Sequence, residues 1–583
     1  MSAARRRLTF FSSEGMLSFD SNPLVFLGIG YGLLWLTGAL AISPAWLRPN
    51  TVWRSPKLFL IIALGSVVFM RLPVVVFNQE LNPDESQIIA QGLTLSIDPV
   101  FWRSVDGTTG GPLDSYLLII PSWLGLSFDY ISARITGLIL IISSLWLLFQ
   151  TLKRWFGEEV ARWALMPSLI LLAMTQNGDL VHYSSEHLPI FLLSLLYYGY
   201  ARLQQEPIPA QSQIFLVGLV AGMVPFGKLQ AVPMMFCVGL FVTIDLLTRP
   251  NLTVRQKTSR FLWLMAGGIS FPLLVVALTS LTGVFDDMVT FYIVANFNYG
   301  AGDGHTTWDH LLRLPAFFRR IEEFNWFIWL SVLLGFTFLV FLIRNQFRLY
   351  TNWKVWLFLV CLIGFILIAI TRTGSEYTHY LLFLIGPIGL LNAWFLSEIR
   401  YYTRNRRWVA TRMAAVVLAA ALIPYGVRYV NRGLNRMPLN DCVQNSRKMP
   451  QSAVTQRILQ YAKPGEKLAV WGWMCKYYVE AQMPQGVNEN HTIRSAFNHP
   501  MRDVYRQRYL ADLRRSKPPV FIDAVGQSLW LNDRATQAHE SFGALRDLIA
   551  ANYRFAGEID KTRIYVRADR YKQPITSTNS YVD

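Results

Sequence analysis

The sequence predicts a polytopic α-helical membrane protein of about 11–12 transmembrane helices, followed by a C-terminal extracytoplasmic α/β domain. Three observations predict it. Of 583 residues, 52% are hydrophobic and only 16% charged, which is too apolar and too long for one soluble domain. Apolar runs of the ~20 residues that cross a ~30 Å hydrocarbon core recur from residue 24 to residue 430. Beyond that point the runs stop, and short β-rich stretches alternate with polar helical ones. The mean hydropathy of +0.30 fits such a mixture.

The runs fall at 24–46, 57–77, 131–150, 160–178, 186–203, 213–227, 229–247, 261–281, 326–343, 354–371, 380–398 and 413–430. They divide the chain into an N-terminal segment with an extra apolar helix (1–56), a main transmembrane domain (57–430) and a soluble domain (431–583). Pro225, Lys228 and Pro233 break the stretch around 213–247 into two short pieces. The 14% aromatic share, with 19 Trp, suits belts at the two membrane interfaces. Met1 to Asp20 carries charges but no apolar core ending in a small-residue site, so no cleavable signal peptide is expected.

The net charge of +17 would suggest nucleic acid in a soluble protein. Here the basic residues gather in one set of loops, at Arg48–Lys57, Lys153-Arg154, Arg202, Arg249–Arg260, Arg344–Lys354 and Arg400–Arg412. The opposite set carries only Arg103, Lys228, Arg313, Arg319, Arg320 and Arg372. The positive-inside rule makes the first set cytoplasmic. Asp84-Glu85 and everything past residue 430 then face outward from the cell (inner or plasma) membrane, and no nucleic-acid partner is expected. Arg5-Arg6-Arg7 resists this orientation if the 24–46 run crosses fully.

Asn82-Pro83-Asp84-Glu85-Ser86-Gln87 follows the second run directly. Two adjacent acids at the mouth of a membrane helix are costly to desolvate and mark a functional site. The same aspartate also suits an N-cap for the helix that follows. Glu85 to Ser96 reads as an amphipathic helix lying on the membrane, and Pro112 to Phe128 as an apolar segment at the interface. Between them, Gly110-Gly111 suits either loop punctuation or a close backbone approach to a phosphate.

Further outer turns carry Asp179, His182, Glu186 and His187, which suit metal ligation, acceptor orientation or simple helix capping. Lys228, in an outward-facing break, must snorkel or meet an anion. Arg372, His379 and Tyr380 supply a cation, an imidazole and a phenol to the same edge. The aromatic and amide-rich loop 282–325, with Phe291, Tyr292, Asn296, Asp303 and His305, reads as a flap toward carbohydrate or lipid, or as interfacial anchoring. Cys442 and Cys475 lie in a region where disulfides are permitted.

Pro83-Asp84-Glu85 after an early span resembles the acidic motif of GT-C glycosyltransferases, multi-span enzymes that use polyprenyl-phosphate sugars. The resemblance covers most of 57–430 and is nearest to the group of the lipid A aminoarabinose transferase and the protein O-mannosyltransferases. Gly222–Lys228 is similar to that family's lysine-bearing break, Tyr377-Thr378-His379-Tyr380 to its late outer turn, and Trp471-Gly472-Trp473 with Tyr477-Tyr478 to the opening of its soluble domain. The chain departs where Gly110-Gly111-Pro112 replaces a Glu-Lys-Pro element, and where Glu186-His187 stands at the top of the fifth span in place of an Asp.

The resemblance implies transfer of a sugar from a lipid-linked donor to a lipid, glycan or protein acceptor on the outer side, with inversion at C1. Such a reaction needs a proton acceptor and neutralisation of the departing phosphate. Asp84 is the expected base, and Glu85 the orienter of the acceptor or of a cation. Glu186 and His187 are the further acceptor- or metal-orienting candidates. Lys228, Arg372, His379, Tyr380 and, more remotely, Arg103 are expected at the phosphate. No cofactor follows from the residues, although a divalent cation is a candidate. The alternative from another class is a lipid-linked substrate transporter or flippase, which would place its ionisable groups near the midplane in repeated halves.

Overall fold

The computed structural model describes residues 19–571, apart from 21, 46–47, 49–50, 300–305, 373–375, 405–406, 443–447 and 529. The expectations on Arg5–Arg7, Asp303 and His305 lie outside the described residues. Every predicted run is a helix. Among the described residues, nine helices are long and apolar enough to cross a membrane: Pro23–Ile42, Pro56–Val76, Tyr130–Phe156, Leu229–Thr248, Val254–Leu281, Glu322–Arg344, Trp353–Thr371, Thr378–Tyr402 and Trp408–Leu434. Glu158–Met174, His187–Gln205 and Gln211–Gly227 occupy the remaining runs. Glu158–Met174 and most of His187–Gln205 are buried in the bundle, so lipid contact places less demand on their composition, while Gln211–Gly227 is apolar but shorter. The protein is a polytopic α-helical membrane protein.

Two helices meet through glycine. A Cβ on Gly218 would stand 2.2 Å from the Leu264 carbonyl, and one on Gly267 2.1 Å from that of Phe215. Small residues let the backbones of Gln211–Gly227 and Val254–Leu281 approach closely, as in lipid they must to gain van der Waals contact. This pins the end of the helix that precedes Lys228.

Beyond Leu434 a small α/β unit forms around a four-stranded sheet: β1 Leu468–Trp471, β2 Val520–Asp523, β3 Tyr553–Ile559 and β4 Thr562–Arg567, in the order β1-β2-β4-β3. β1 and β2 are parallel; β4 runs antiparallel to both β2 and β3. β1 and β2 are buried along their whole length, matching their unbroken apolar sequence.

This unit sits on the same end of the bundle as Asp84. The helix Pro83–Leu95 is buried all round from Glu85 to Leu95, so it lies between bundle and sheet unit rather than on the membrane. Asn490 Nδ2 donates to the Gln87 carbonyl at 3.0 Å, and the Gln485 amide to Thr94 Oγ1 at 2.9 Å. Arg508 pairs with Asp106 at 2.8 Å. Phe291 packs edge-on against Tyr505 at 5.0 Å, so this part of the expected flap anchors the sheet unit. Cys442 and Cys475 are buried and free, as are Cys237 and the half-buried Cys361; the expected opportunity for a disulfide is not taken.

Candidate active site

The acid pair is divided by the helix that carries it. Asn82, not Asp84, is the N-cap: its side chain accepts the Asp84 amide at 2.9 Å, with Pro83 at the first helical position. Asn82 also donates to Asp179 Oδ1 at 2.7 Å, and the Thr378 hydroxyl donates to Asp179 Oδ2. One carboxylate therefore ties together the three outer turns that border the site. The Asp84 side chain, 32% exposed, is left facing a cavity, its Oδ2 3.9 Å from His379 Nε2.

Glu85 points elsewhere because consecutive helical residues diverge by about 100°. It is completely buried and clasped by Arg134, with Nε to Oε1 at 2.8 Å and Nη2 to Oε2 at 2.6 Å. The Tyr183 amide donates to it as well, at 2.9 Å. Arg134 also donates to the carbonyls of Val74, Phe77 and Gln79. Glu85 thus lies off the cavity, and its carboxylate staples the end of the preceding membrane helix.

Glu186 is fully buried, with Oε1 3.9 Å from His379 Nε2. Ser184 donates to its other oxygen, and Lys228 forms an ion pair with it. The Lys228 ammonium also donates to Ser185 Oγ at 2.8 Å and stands 5.0 Å above the Tyr380 ring. Buried to 2%, Lys228 does not snorkel. Its place depends on glycine. Gly110 bridges to Lys228, and the Gly111 amide donates to the Gly227 carbonyl at 2.7 Å. A methyl at Gly111 would lie 2.0 Å from the Phe226 carbonyl. The departure from Glu-Lys-Pro thus brings the loop against the broken helix, an approach only glycine permits.

Other expected residues stay apart. His187 turns into the bundle, where Nδ1 accepts the Ser184 amide at 3.1 Å, so it does not join Glu186 in a ligand pair. Arg103 forms an ion pair with Asp98 and does not line the cavity. Arg372 is the exposed C-cap of its helix, also off the cavity. Glu186 and Glu85 each already hold a cationic side chain, Lys228 and Arg134 respectively. Among the described residues, Asp523, His539 and Glu540 of the sheet unit bring ligand atoms within 4.8 Å of one another. There Arg534 and Arg563 already pair with the two carboxylates.

The cavity measures about 140 Å³ and lies where the bundle meets the sheet unit. Asp84, Lys228, His379 and Tyr380 line it from the membrane side, while Trp473, His491 and Arg494 line it from the C-terminal side. Sequence reasoning missed Gln87, Gln91, Asp114 and the sheet-unit residues as part of the site. For Asp114 a signal existed: it is the single acid inside an otherwise apolar segment, a position that costs free energy unless used. Thr108, also at the cavity, is β-branched yet holds φ +51°, local strain of the kind that gathers at functional loops.

No protein-family model matches the chain, and no curated protein does either. Solved structures do match. The chain is similar to ArnT from Cupriavidus metallidurans bound to undecaprenyl phosphate, at TM-score 0.54 and 11% identity, over 88% of this chain and 98% of that one. The apo state of the same protein aligns at TM-score 0.52 and 11% identity, over 88% and 98%. At such identity the likeness speaks to architecture alone. The chain has the fold of these solved structures.

Proposed function

We propose that this protein is a membrane glycosyltransferase that moves a sugar from a polyprenyl-phosphate donor to an acceptor at the Asp84 cavity, with inversion at C1. The observation that carries this reading is the convergence of one solvent-facing carboxylate, Asp84, and one buried ammonium, Lys228, on a single cavity in a fold whose solved neighbour binds undecaprenyl phosphate. Asp84 takes the proton of the acceptor hydroxyl as it attacks C1. Lys228, held ready by Glu186 and Ser185, faces the phosphate whose charge grows as the bond breaks; a donor so placed supplies ~3 kcal/mol of transition-state stabilisation. His379, between Asp84 and Glu186, orients the base.

The positive-inside pattern supports an extracytoplasmic side for the cavity and the sheet unit. The test is transfer from radiolabelled undecaprenyl-phosphate sugars in membranes carrying the protein, with Asp84→Asn as control. Absence of any transfer across a panel of donors and envelope acceptors overturns the reading. Orientation is probed at exposed sites: Gln456→Cys should label from outside intact cells, and Gln346→Cys only after permeabilisation. The reverse pattern inverts the topology.

A further inference from the structure

Asp114 lies on the short helix Pro112–Leu117 that follows the glycine pair, and it lines the cavity. It is 2% exposed, yet neither carboxyl oxygen has a hydrogen-bond partner. Burial pushes its carboxyl well above the usual carboxylate range, against the pull of the nearby Lys228. Across the domain boundary, Trp473 and His491 stack with centroids 4.9 Å apart and planes 29° from parallel. Trp473 Nε1 and His491 Nδ1 are also buried without partners. Burial lowers the imidazole to about 3, with Arg494 adding to the effect, so the ring is neutral at ordinary pH.

The pair is built, not incidental. The Gly472 amide donates to Thr492 Oγ1 at 2.8 Å, and the Thr492 amide returns a bond to the Gly472 carbonyl at 3.2 Å. Ser528 accepts the Trp473 amide at 2.8 Å. Gly472 itself holds φ +121° with Ser528 and Ala524 pressed against it. Unpartnered buried polar atoms cost free energy unless something else satisfies them. A carboxyl, an indole N–H and an imidazole beside a stacked aromatic face match a sugar ring, which offers hydroxyls at its edge and C–H groups on its face.

We propose that Asp114, together with Trp473 and His491 of the sheet unit, forms the subsite that seats the sugar ring of the lipid-linked donor. This rests on the transferase reading above. The choice of donor over acceptor follows from the role proposed for Lys228: it lines the same cavity as Asp114, and a phosphate held at Lys228 brings its own sugar ring into that cavity. The C-terminal unit is then a specificity element and not merely a passenger.

The test uses full-length protein in detergent and measures affinity for undecaprenyl phosphate, the sugar-free probe, and for a panel of undecaprenyl-phosphate monosaccharides. Asp114→Leu and Trp473→Leu should bind the sugar-free lipid within twofold of the parent. They should lose about tenfold or more for the monosaccharide the parent prefers, while Trp473→Phe, which keeps the aromatic face but not the N–H, restores part of the loss. Asp114→Leu should also raise the thermal midpoint, since it removes an unsatisfied buried acid; a structural role would lower it. Equal weakening of both probes, unchanged discrimination, or an effect on acceptor KM alone overturns the donor-ring assignment while leaving the transferase reading intact. A parent protein that neither prefers any lipid-linked sugar nor transfers one overturns both.

Discussion

Asn82 caps the helix Pro83–Leu95, accepting the Asp84 amide at 2.9 Å, and so frees the Asp84 carboxylate from any capping duty. Asp84→Asn should therefore leave the helix and the protein level intact while transfer falls by roughly 10²–10⁴, the usual worth of a general base. Radiolabel transfer normalised to folded protein measures it. Full activity in folded Asp84→Asn removes Asp84 as the base.

Glu85→Gln is expected to act through stability. Arg134 would keep its guanidinium buried with its carboxylate gone, and breaking such a pair costs about 3 kcal/mol or more. The thermal midpoint in detergent should drop, with residual turnover per folded molecule close to that of the parent. A normal midpoint with lost turnover would return Glu85 to the chemistry.

Lys228 and Glu186 separate charge balance from catalysis. Lys228→Met strands the buried Glu186 carboxylate and should cost about 3 kcal/mol; adding Glu186→Gln should recover most of that loss. Transfer should remain low in the double variant, because no cation meets the departing phosphate. Recovery of activity along with stability would make the pair purely structural.

Glu489 makes the sheet unit sensitive to pH. It is buried beside the interface loop, where desolvation outweighs the Ser495 hydrogen bond and lifts its carboxyl to about 8. The folded state then binds the proton more tightly than the unfolded one, with its ordinary value near 4.5. Its stabilising effect is complete below about pH 4.5 and is lost as pH rises toward 8, by at most ~1.4 kcal/mol per pH unit. Thermal midpoints between pH 5 and 8 should fall more steeply for the parent than for Glu489→Gln. Parallel curves would show that Glu489 does not set the slope.

Sequence alone determined the spans, because a lipid environment leaves each crossing segment only its own backbone hydrogen bonds and demands an unbroken apolar run. The run at 354–371 is the helix Trp353–Thr371, within a residue at its start. The strands at 468–473, 519–523 and 562–566 were legible for a similar local reason, while Tyr553–Ile559, whose exposed side chains break the apolar pattern, was not. Only the tertiary structure decided which acid faces the cavity. Asp84 and Glu85 are chemically alike neighbours, and the partner that separates them, Arg134, lies on another helix. The same holds for Lys228, whose snorkelling or pairing depends on whether Glu186 stands beside it. Trp473 and His491 reach Asp114's cavity only because the sheet unit docks on Pro83–Leu95. Hydropathy acts along the chain and can be read there; a charge or a ring acquires its role from whatever the fold brings within a few ångströms.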